Sequence, residues 1–185
     1  MKSAITKISQ DEKEQDYEMN IQFRQGTMED LDAVTALVAD AIVQMESQGI
    51  MQWDEIYPTR EDFRADIEAG NLYMGYDKEE LAVIFVLSQE FDEEYKNGKW
   101  KDETKSFYVL HRLCVHPKYQ NQGIAGMTME HIEKTLKAQG IEAVRLDAFT
   151  KNPYALKLYE RCGYHHVGMA HWRKGDFYLM EKFIG

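Results

Sequence analysis

The chain has 185 residues, which suits one domain, and 44% of them are hydrophobic, enough to build a sizeable core. Its formal charge of -10 argues against nucleic acid as a partner, because an acidic surface repels phosphate, and it favours a cationic partner instead. Cys114 and Cys162 form no CxxC pair, and no apolar run is long enough to span a bilayer, so we expect a cytoplasmic protein without a disulfide framework or a membrane partner.

Residues 1–19 are polar and charged, and we predict a disordered leader there, followed by a single domain at residues 20–185. Within that domain, hydrophobic periodicity, caps and turn residues predict elements in the order β-α-α-β-β-β-α-β-α-β-β. In chain order these elements are 20–26, 27–48, 59–69, 72–76, 81–89, 107–115, 124–139, 143–149, 153–162 and a strand pair within 164–184. Residues 92–106 contain the turn signal Asn97-Gly98 and are predicted to be a long loop or an extended hairpin tip.

The predicted strands at 107–115 and 143–149 flank a single helix. A strand–helix–strand unit of this kind joins parallel strands through a right-handed crossover. The remaining strands are joined mainly by hairpin turns. We therefore expect an α/β fold with a mixed, mostly antiparallel central sheet, one parallel β-α-β crossover and flanking helices.

Inside that crossover, a loop with the sequence Tyr119-Gln-Asn-Gln-Gly-Ile-Ala-Gly126 leads from the strand into the helix. Free amides at a helix N-terminus, together with the helix dipole, bind phosphate, and Gly123 lets a ligand come close to the backbone. The loop lacks both the Gly-Lys-Ser/Thr of a Walker loop and the GxGxxG of a dinucleotide site. Taken alone, it favours a plain helix start without a ligand.

Two segments together change that interpretation. The loop Gln120-Asn-Gln-Gly123-Ile-Ala125, preceded by Leu113-Cys-Val-His-Pro117, resembles the cofactor loop of the GNAT acetyltransferase superfamily. Downstream, Asn152-Pro-Tyr-Ala-Leu-Lys-Leu-Tyr159-Glu-Arg-Cys-Gly-Tyr164 looks like the second cofactor segment of that family. The resemblance implies acetyl-CoA as co-substrate and a GNAT-like fold. It also implies cofactor contacts at Leu113, Cys114, Val115, Asn121, Gln122, Gly123, Ile124, Ala125, Gly126 and Asn152.

The resemblance also implies catalytic roles. Tyr159 would give a proton or a hydrogen bond to the departing CoA thiolate, and the alternative is a core aromatic residue. Many family members have a carboxylate on the strand before the loop, whereas this strand has none. His111 is the candidate base, with a structural histidine as the alternative, and the period of two places it on one face with Leu113 and Val115. We interpret Cys114 as a buried thiol rather than an acyl carrier.

Other residues complete the expected site. Trp53 and Tyr57, close to Asp54 and Glu55, lie in an irregular segment that forms part of the acceptor pocket in the family, and the alternative is a surface loop anchored by the tryptophan. Arg112 and Asp147 are charges within apolar strands, so each should have a partner, and they are candidates to pair with each other. Three histidines lack the partners that a metal site needs, so we expect no metal; they are His165, His166 and His171.

The function that these features predict is transfer of an acetyl group from acetyl-CoA to a primary amine of a small molecule or protein, by direct transfer. The amine acceptor should be cationic, given the negative charge of the chain. The alternative is a non-catalytic acyl-CoA-binding module used in sensing or assembly, and a purely structural protein would bind no CoA at all. Assembly as a homodimer stays open.

Overall fold

The computed structural model describes residues 19–185, so the leader predicted at 1–19 lies outside the described residues except for Met19. The seven strands are β1 (Ile21–Gln25), β2 (Leu72–Asp77), β3 (Glu80–Ser88), β4 (Phe107–Val115), β5 (Ala143–Phe149), β6 (His165–Trp172) and β7 (Gly175–Phe183). The α-helices are α1 (Leu31–Ser47), α2 (Arg60–Glu68), α3 (Ile124–Ala138) and α4 (Pro153–Arg161). Within the described residues, no helix is long and apolar enough to cross a membrane.

One sheet holds all seven strands in the order β1-β2-β3-β4-β5-β7-β6. Strands β4 and β5 pair in parallel, and every other neighbouring pair is antiparallel. The crossover through α3 accounts for the parallel pair, because two parallel strands cannot be joined by a tight turn. The predicted mixed sheet with one parallel crossover is confirmed.

Helix starts follow the capping residues with one adjustment. Thr27 and Asp30 form a capping box, but it caps a single 3₁₀ turn at Met28–Asp30, so α1 begins only at Leu31 rather than directly after Thr27. Thr59 caps α2 with a second box. At α4, the side chain of Asn152 accepts a hydrogen bond from the amide of Ala155, and Pro153 occupies the first turn.

The sheet separates two layers of helices. Helices α1 and α2 cover the face that carries Leu72, Ile84 and Val86, in a cluster that also includes Cys114. The other face packs against α3 and α4, with Ile132 and Tyr159 among the buried contacts.

The connection between β3 and β4 is more than the loop expected from its turn signal. It contains a 3₁₀ turn at Glu93–Asn97 and runs across to β6, where the amide of Lys99 donates a hydrogen bond to the carbonyl of Val167 at 2.7 Å. A Cβ on Gly168 would lie 2.7 Å from the carbonyl oxygen of Asn97, so glycine permits this close approach. The segment at residues 89–106 thus covers part of the sheet beside β4 and β5.

A β-bulge interrupts β4 where it pairs with β3. His111 lies opposite Val86 and Cys114 opposite Ile84, so β4 has one residue more than β3 between these pairs. Arg112, in the bulge, has a φ of 49°. Because opposed residues share a face, His111 and Cys114 lie on one side and Leu113 and Val115 on the other. The expectation that His111 shares a face with Leu113 and Val115 is therefore wrong.

Candidate active site

A cavity opens where β4 and β5 separate. The two strands pair from Phe107 opposite Ala143 to Leu110 opposite Leu146, and both continue beyond that point without pairing to each other. The cavity at the gap has a volume of about 620 Å³. Among the residues expected at the site, it is lined by Trp53, Tyr57, His111, Leu113 and Tyr159. The fold therefore brings both cofactor-side and acceptor-side candidates to one cavity.

The loop after β4 ends in an open helix N-terminus. Gly123, with a φ of 82°, is the N-cap of α3, and no side chain caps this helix. The first bond of the helix runs from the amide of Met127 to the carbonyl of Gly123, so the three preceding amides have no partner within the helix. A Cβ at Gly123 or Gly126 would meet no atom within 4 Å, and the first turn contains no acidic residue. These features fit a pyrophosphate.

Side chains of the loop hold its own backbone. The side-chain amide of Gln120 donates a hydrogen bond to the backbone carbonyl of Val115 at 3.2 Å. The side-chain amide of Gln122 donates one to the backbone carbonyl of Lys118 at 2.7 Å. Asn121 adopts a positive φ of 61°. The side chains of Gln120 and Gln122 therefore shape the turn, while the backbone amides at the helix start remain free.

Tyr159 is buried on α4 and lines the cavity, with 8% of its surface exposed. Its hydroxyl makes no hydrogen bond to any residue between 19 and 185, although its ring packs edge-on against Tyr164. Burial, and then the nearby charge of Asp147, raise the pKa of the Tyr159 phenol above its ordinary value. The phenol therefore keeps its proton at neutral pH and has an unused donor facing the cavity.

Asp147 is a candidate functional residue that sequence reasoning missed, because the sequence indicated only a structural charge there. It follows Leu146, the last residue of β5 that pairs with β4, and it lines the cavity. Its Oδ2 accepts a hydrogen bond of 2.7 Å from the hydroxyl of Tyr95. Burial raises the pKa of Asp147 to about 6, against the lowering effects of the Tyr95 hydrogen bond and of Arg112. A carboxylate with this pKa is largely ionised at neutral pH and is a competent proton acceptor. A lone acidic residue in an apolar strand was the only available signal.

His111 also lines the cavity, but its basicity is low. Its Nε2 lies 3.2 Å from the carbonyl oxygen of Glu90, which requires an N–H at that nitrogen. Burial, and then the positive charge of Arg112, lower the pKa of His111 to about 4. The imidazole is therefore neutral at pH 7 and a weaker base than Asp147.

The expected pairing of Arg112 with Asp147 is wrong. The bulge at Arg112 directs its guanidinium to Asp66 of α2, with an N–O distance of 2.8 Å, and Asp147 is bonded by Tyr95 instead. Each charge does have a partner, because an unpaired charge in this position is costly. The partner of Arg112 comes from α2, 46 residues away in the sequence, and the partner of Asp147 comes from the β3–β4 connection, 52 residues away.

The segment between α1 and α2 supplies one wall of the cavity. Trp53 is buried there, and Tyr57 has the guanidinium of Arg112 over its ring at 5.2 Å. Asp54 anchors the segment to the β6–β7 turn through ion pairs with Arg173 and Lys174 at 2.8 and 3.0 Å. The cavity is further lined by the aromatic residues Phe91, Tyr95, Trp172 and Phe177.

Asn152 and Cys114 have structural contacts. The amide of Asn152 donates to Gln52 Oε1 at 3.0 Å, in addition to capping α4, and so links that helix to the segment beside Trp53. Cys114 is buried, and burial raises the pKa of its thiol to about 12. A thiol of that pKa stays protonated and is a poor nucleophile. Between residues 19 and 185, no cluster of three or more potential ligands is arranged for a metal ion.

Comparisons with known proteins agree with this geometry. The model of the acetyltransferase (GNAT) family matches residues 39–164. The chain is 26% identical over 160 residues to a Bacillus subtilis (strain 168) protein named uncharacterized N-acetyltransferase YesJ, covering 84% of this chain and 86% of that protein. The chain belongs to the GNAT family of acetyltransferases, and so to the acyltransferases.

Solved structures share the fold. A GNAT family acetyltransferase from Streptococcus agalactiae 2603 superposes with a TM-score of 0.78 at 21% identity, covering 88% of this chain and 95% of that one. The PaiA N-acetyltransferase from Thermoplasma acidophilum, solved in complex with coenzyme A, gives a TM-score of 0.65 at 18% identity, covering 89% of this chain and 99% of that one. At these identities the likeness is one of fold.

Proposed function

We propose that this chain transfers the acetyl group of acetyl-CoA to a primary amine by direct transfer. One observation carries the proposal: the free hydroxyl of Tyr159 and the carboxylate of Asp147 line a single cavity at the gap between β4 and β5. The open N-terminus of α3 follows the same strand. A proton donor, a proton acceptor and a phosphate-binding helix start are what acetyl transfer from a CoA thioester requires.

Acetyl-CoA, when bound, supplies an acetyl thioester. The backbone from Leu113 to Val115 would hold its pantetheine arm, because β4 has no β5 partner there. The amides of Ile124, Ala125 and Gly126 would hold the pyrophosphate. For Asn152 the proposed contact to the cofactor comes in addition to its contacts with Ala155 and Gln52.

The protein groups move two protons. An acceptor enters as an ammonium, and Asp147 takes one proton so that the nitrogen gains a free lone pair. A backbone amide of β4 near Val115 stabilises the negative charge that develops on the acyl oxygen. Tyr159 gives a proton to the leaving sulfur and recovers one from the new amide nitrogen. His111, neutral at pH 7, is the second candidate for the base, and a pH profile separates the two because their pKa values are about 6 and about 4.

Release of free thiol from acetyl-CoA, measured across a panel of amines, tests the proposal directly. Turnover with at least one amine supports acetyl transfer. Calorimetric binding of CoA without turnover on any amine would instead favour the alternative, a non-catalytic acyl-CoA-binding module. Absence of any CoA binding by folded protein would refute both.

The cofactor site has a matched pair of glycines for a second test. Gly123 and Gly140 lie at opposite ends of α3, have φ values of 82° and 79°, and have no atom within 4 Å of the position that a Cβ would occupy. A tryptophan therefore costs a similar backbone strain, about 1–2 kcal/mol, at either position. We expect Gly123→Trp to weaken CoA binding at least about ten-fold, or ~1.4 kcal/mol, by blocking phosphate. Gly140→Trp should leave the affinity for CoA unchanged. If the two variants bound CoA equally well, the loop at Gly123 would be excluded as the phosphate-binding site.

A further inference from the structure

Three acidic residues line the cavity without a cationic partner. Glu90 and Asp92 come from the β3–β4 connection, and Asp147 comes from β5. No lysine, arginine or histidine within residues 19–185 forms an ion pair with any of them; Asp92 accepts only a backbone amide, and Asp147 only the Tyr95 hydroxyl. Asp92 and Asp147 line the same cavity, and the pKa of the Asp147 carboxyl is raised first by burial and further by the charge of Asp92.

The cations of the cavity are already engaged elsewhere. Arg112 is paired with Asp66 at 2.8 Å. Arg173 and Lys174 share the single carboxylate of Asp54, which leaves one positive charge in excess at that wall. Three acidic residues without a cationic partner outweigh that one charge. Glu90 and Asp92 are exposed and Asp147 is partly buried, and this charge balance of the cavity lining favours a ligand with more than one positive charge.

The cavity has two further features of a ligand site. The hydroxyl of Tyr159, on a side chain with only 8% of its surface exposed, faces the cavity without a partner among residues 19–185. Aromatic rings make up much of the wall and can hold both a methylene chain and an ammonium group by cation–π contact. They are Trp53, Tyr57, Phe91, Trp172 and Phe177.

We propose that the acceptor is an alkyl diammonium compound. One ammonium lies beside Asp147 and Tyr159 and receives the acetyl group, the methylene chain runs along the aromatic wall, and the second ammonium binds at Glu90 and Asp92. This inference rests on the proposed function and adds the class of its substrate. It also makes the β3–β4 connection, at residues 89–106, the segment that selects the acceptor.

A series of α,ω-diaminoalkanes with three to eight carbons tests the inference against two matched sets. The first set is the n-alkylamines of the same length, and the second is the ω-amino acids, which replace the distal ammonium with a carboxylate. We expect kcat/KM for the best diamine to exceed that of its monoamine at least about ten-fold. The double variant Glu90→Gln, Asp92→Asn should bring this ratio close to one. The turn at Glu93–Asn97 should stay intact, because asparagine at position 92 keeps a side-chain oxygen that can cap it.

Glu93→Gln is the matched control, because Glu93 lies in the same segment, is exposed, and pairs with Lys96 rather than lining the cavity. Its diamine-to-monoamine ratio should equal that of the unmodified protein. Monoamines used as well as diamines at every length would overturn the inference, as would a preference for the ω-amino acids or turnover confined to amines outside the series. A chain that acetylates no amine at all would instead refute the proposed acetyl transfer.

Discussion

The hydrogen bond between Tyr95 and Asp147 gives the sharpest test of the proposed chemistry. The 2.7 Å contact stabilises the ionised carboxylate and so lowers the pKa of Asp147, which burial raises to about 6. Hydrogen bonds to charged groups contribute about 1.5–3 kcal/mol, and 1.36 kcal/mol corresponds to one pKa unit. Water that enters the space left by the hydroxyl recovers part of this energy. We therefore expect Tyr95→Phe to raise the pKa of Asp147 by about one unit.

The consequence is a loss of activity that depends on pH. If the carboxylate form of Asp147 is required, Tyr95→Phe should match the unmodified protein at pH 8 and lose about ten-fold in kcat/KM at pH 5, since a one-unit shift changes the ionised fraction ten-fold only below both pKa values. The ratio of variant to unmodified protein at each pH cancels the ionisation of the acceptor. Tyr76→Phe is the control, because it loses a hydroxyl contact with Arg24 that lies outside the cavity.

Two outcomes would refute this reasoning. A ratio that is constant across pH, even if low, would show that Tyr95 acts on packing and not on the acidity of Asp147. An acidic limb close to pH 4 in the unmodified protein would assign the base to His111, whose pKa is about 4.

Two further substitutions separate catalysis from packing. Tyr159→Phe keeps the buried ring, so the unfolding free energy should change little while kcat at saturating substrates falls about ten-fold or more; native turnover, where chemistry limits the rate, would leave Tyr159 as a core aromatic. Asp147→Asn should abolish most turnover yet stabilise the fold at pH 8. Because the folded carboxyl has a pKa raised from 3.8 to about 6, stability falls as pH rises through that window. Urea unfolding should show that Asp147→Asn has an unfolding free energy up to ~3 kcal/mol higher than the unmodified protein at pH 8, and no higher at pH 3. Equal gains at both pH values would contradict the raised pKa of Asp147.

Local sequence was sufficient to predict the helices and strands and the strand–loop–helix that contains Gly123. The strands at Phe107–Val115 and Ala143–Phe149 match their predicted bounds, and the crossover between them is parallel as expected. Periodicity, caps and glycine stops are properties of residues close together in the chain, so they can be read without a structure. The loop at Gly123 was recognisable for the same reason, since a strand–loop–helix is a continuous segment.

The contacts around Asp147 and Arg112 in the cavity depend on tertiary structure. Tyr95 and Asp147 are 52 residues apart in the sequence, and nothing near either one predicts their contact. The bulge at Arg112 reverses the faces of the residues that follow it, and its guanidinium pairs with Asp66 on a helix 46 residues away. Which charges meet is decided by how the sheet, the helices and the β3–β4 connection pack together, because burial forces each charged group to find a partner within reach of its final position. The sequence by itself thus determined the order of the elements and the loop at Gly123, and only the packed structure decided which partners Arg112 and Asp147 have.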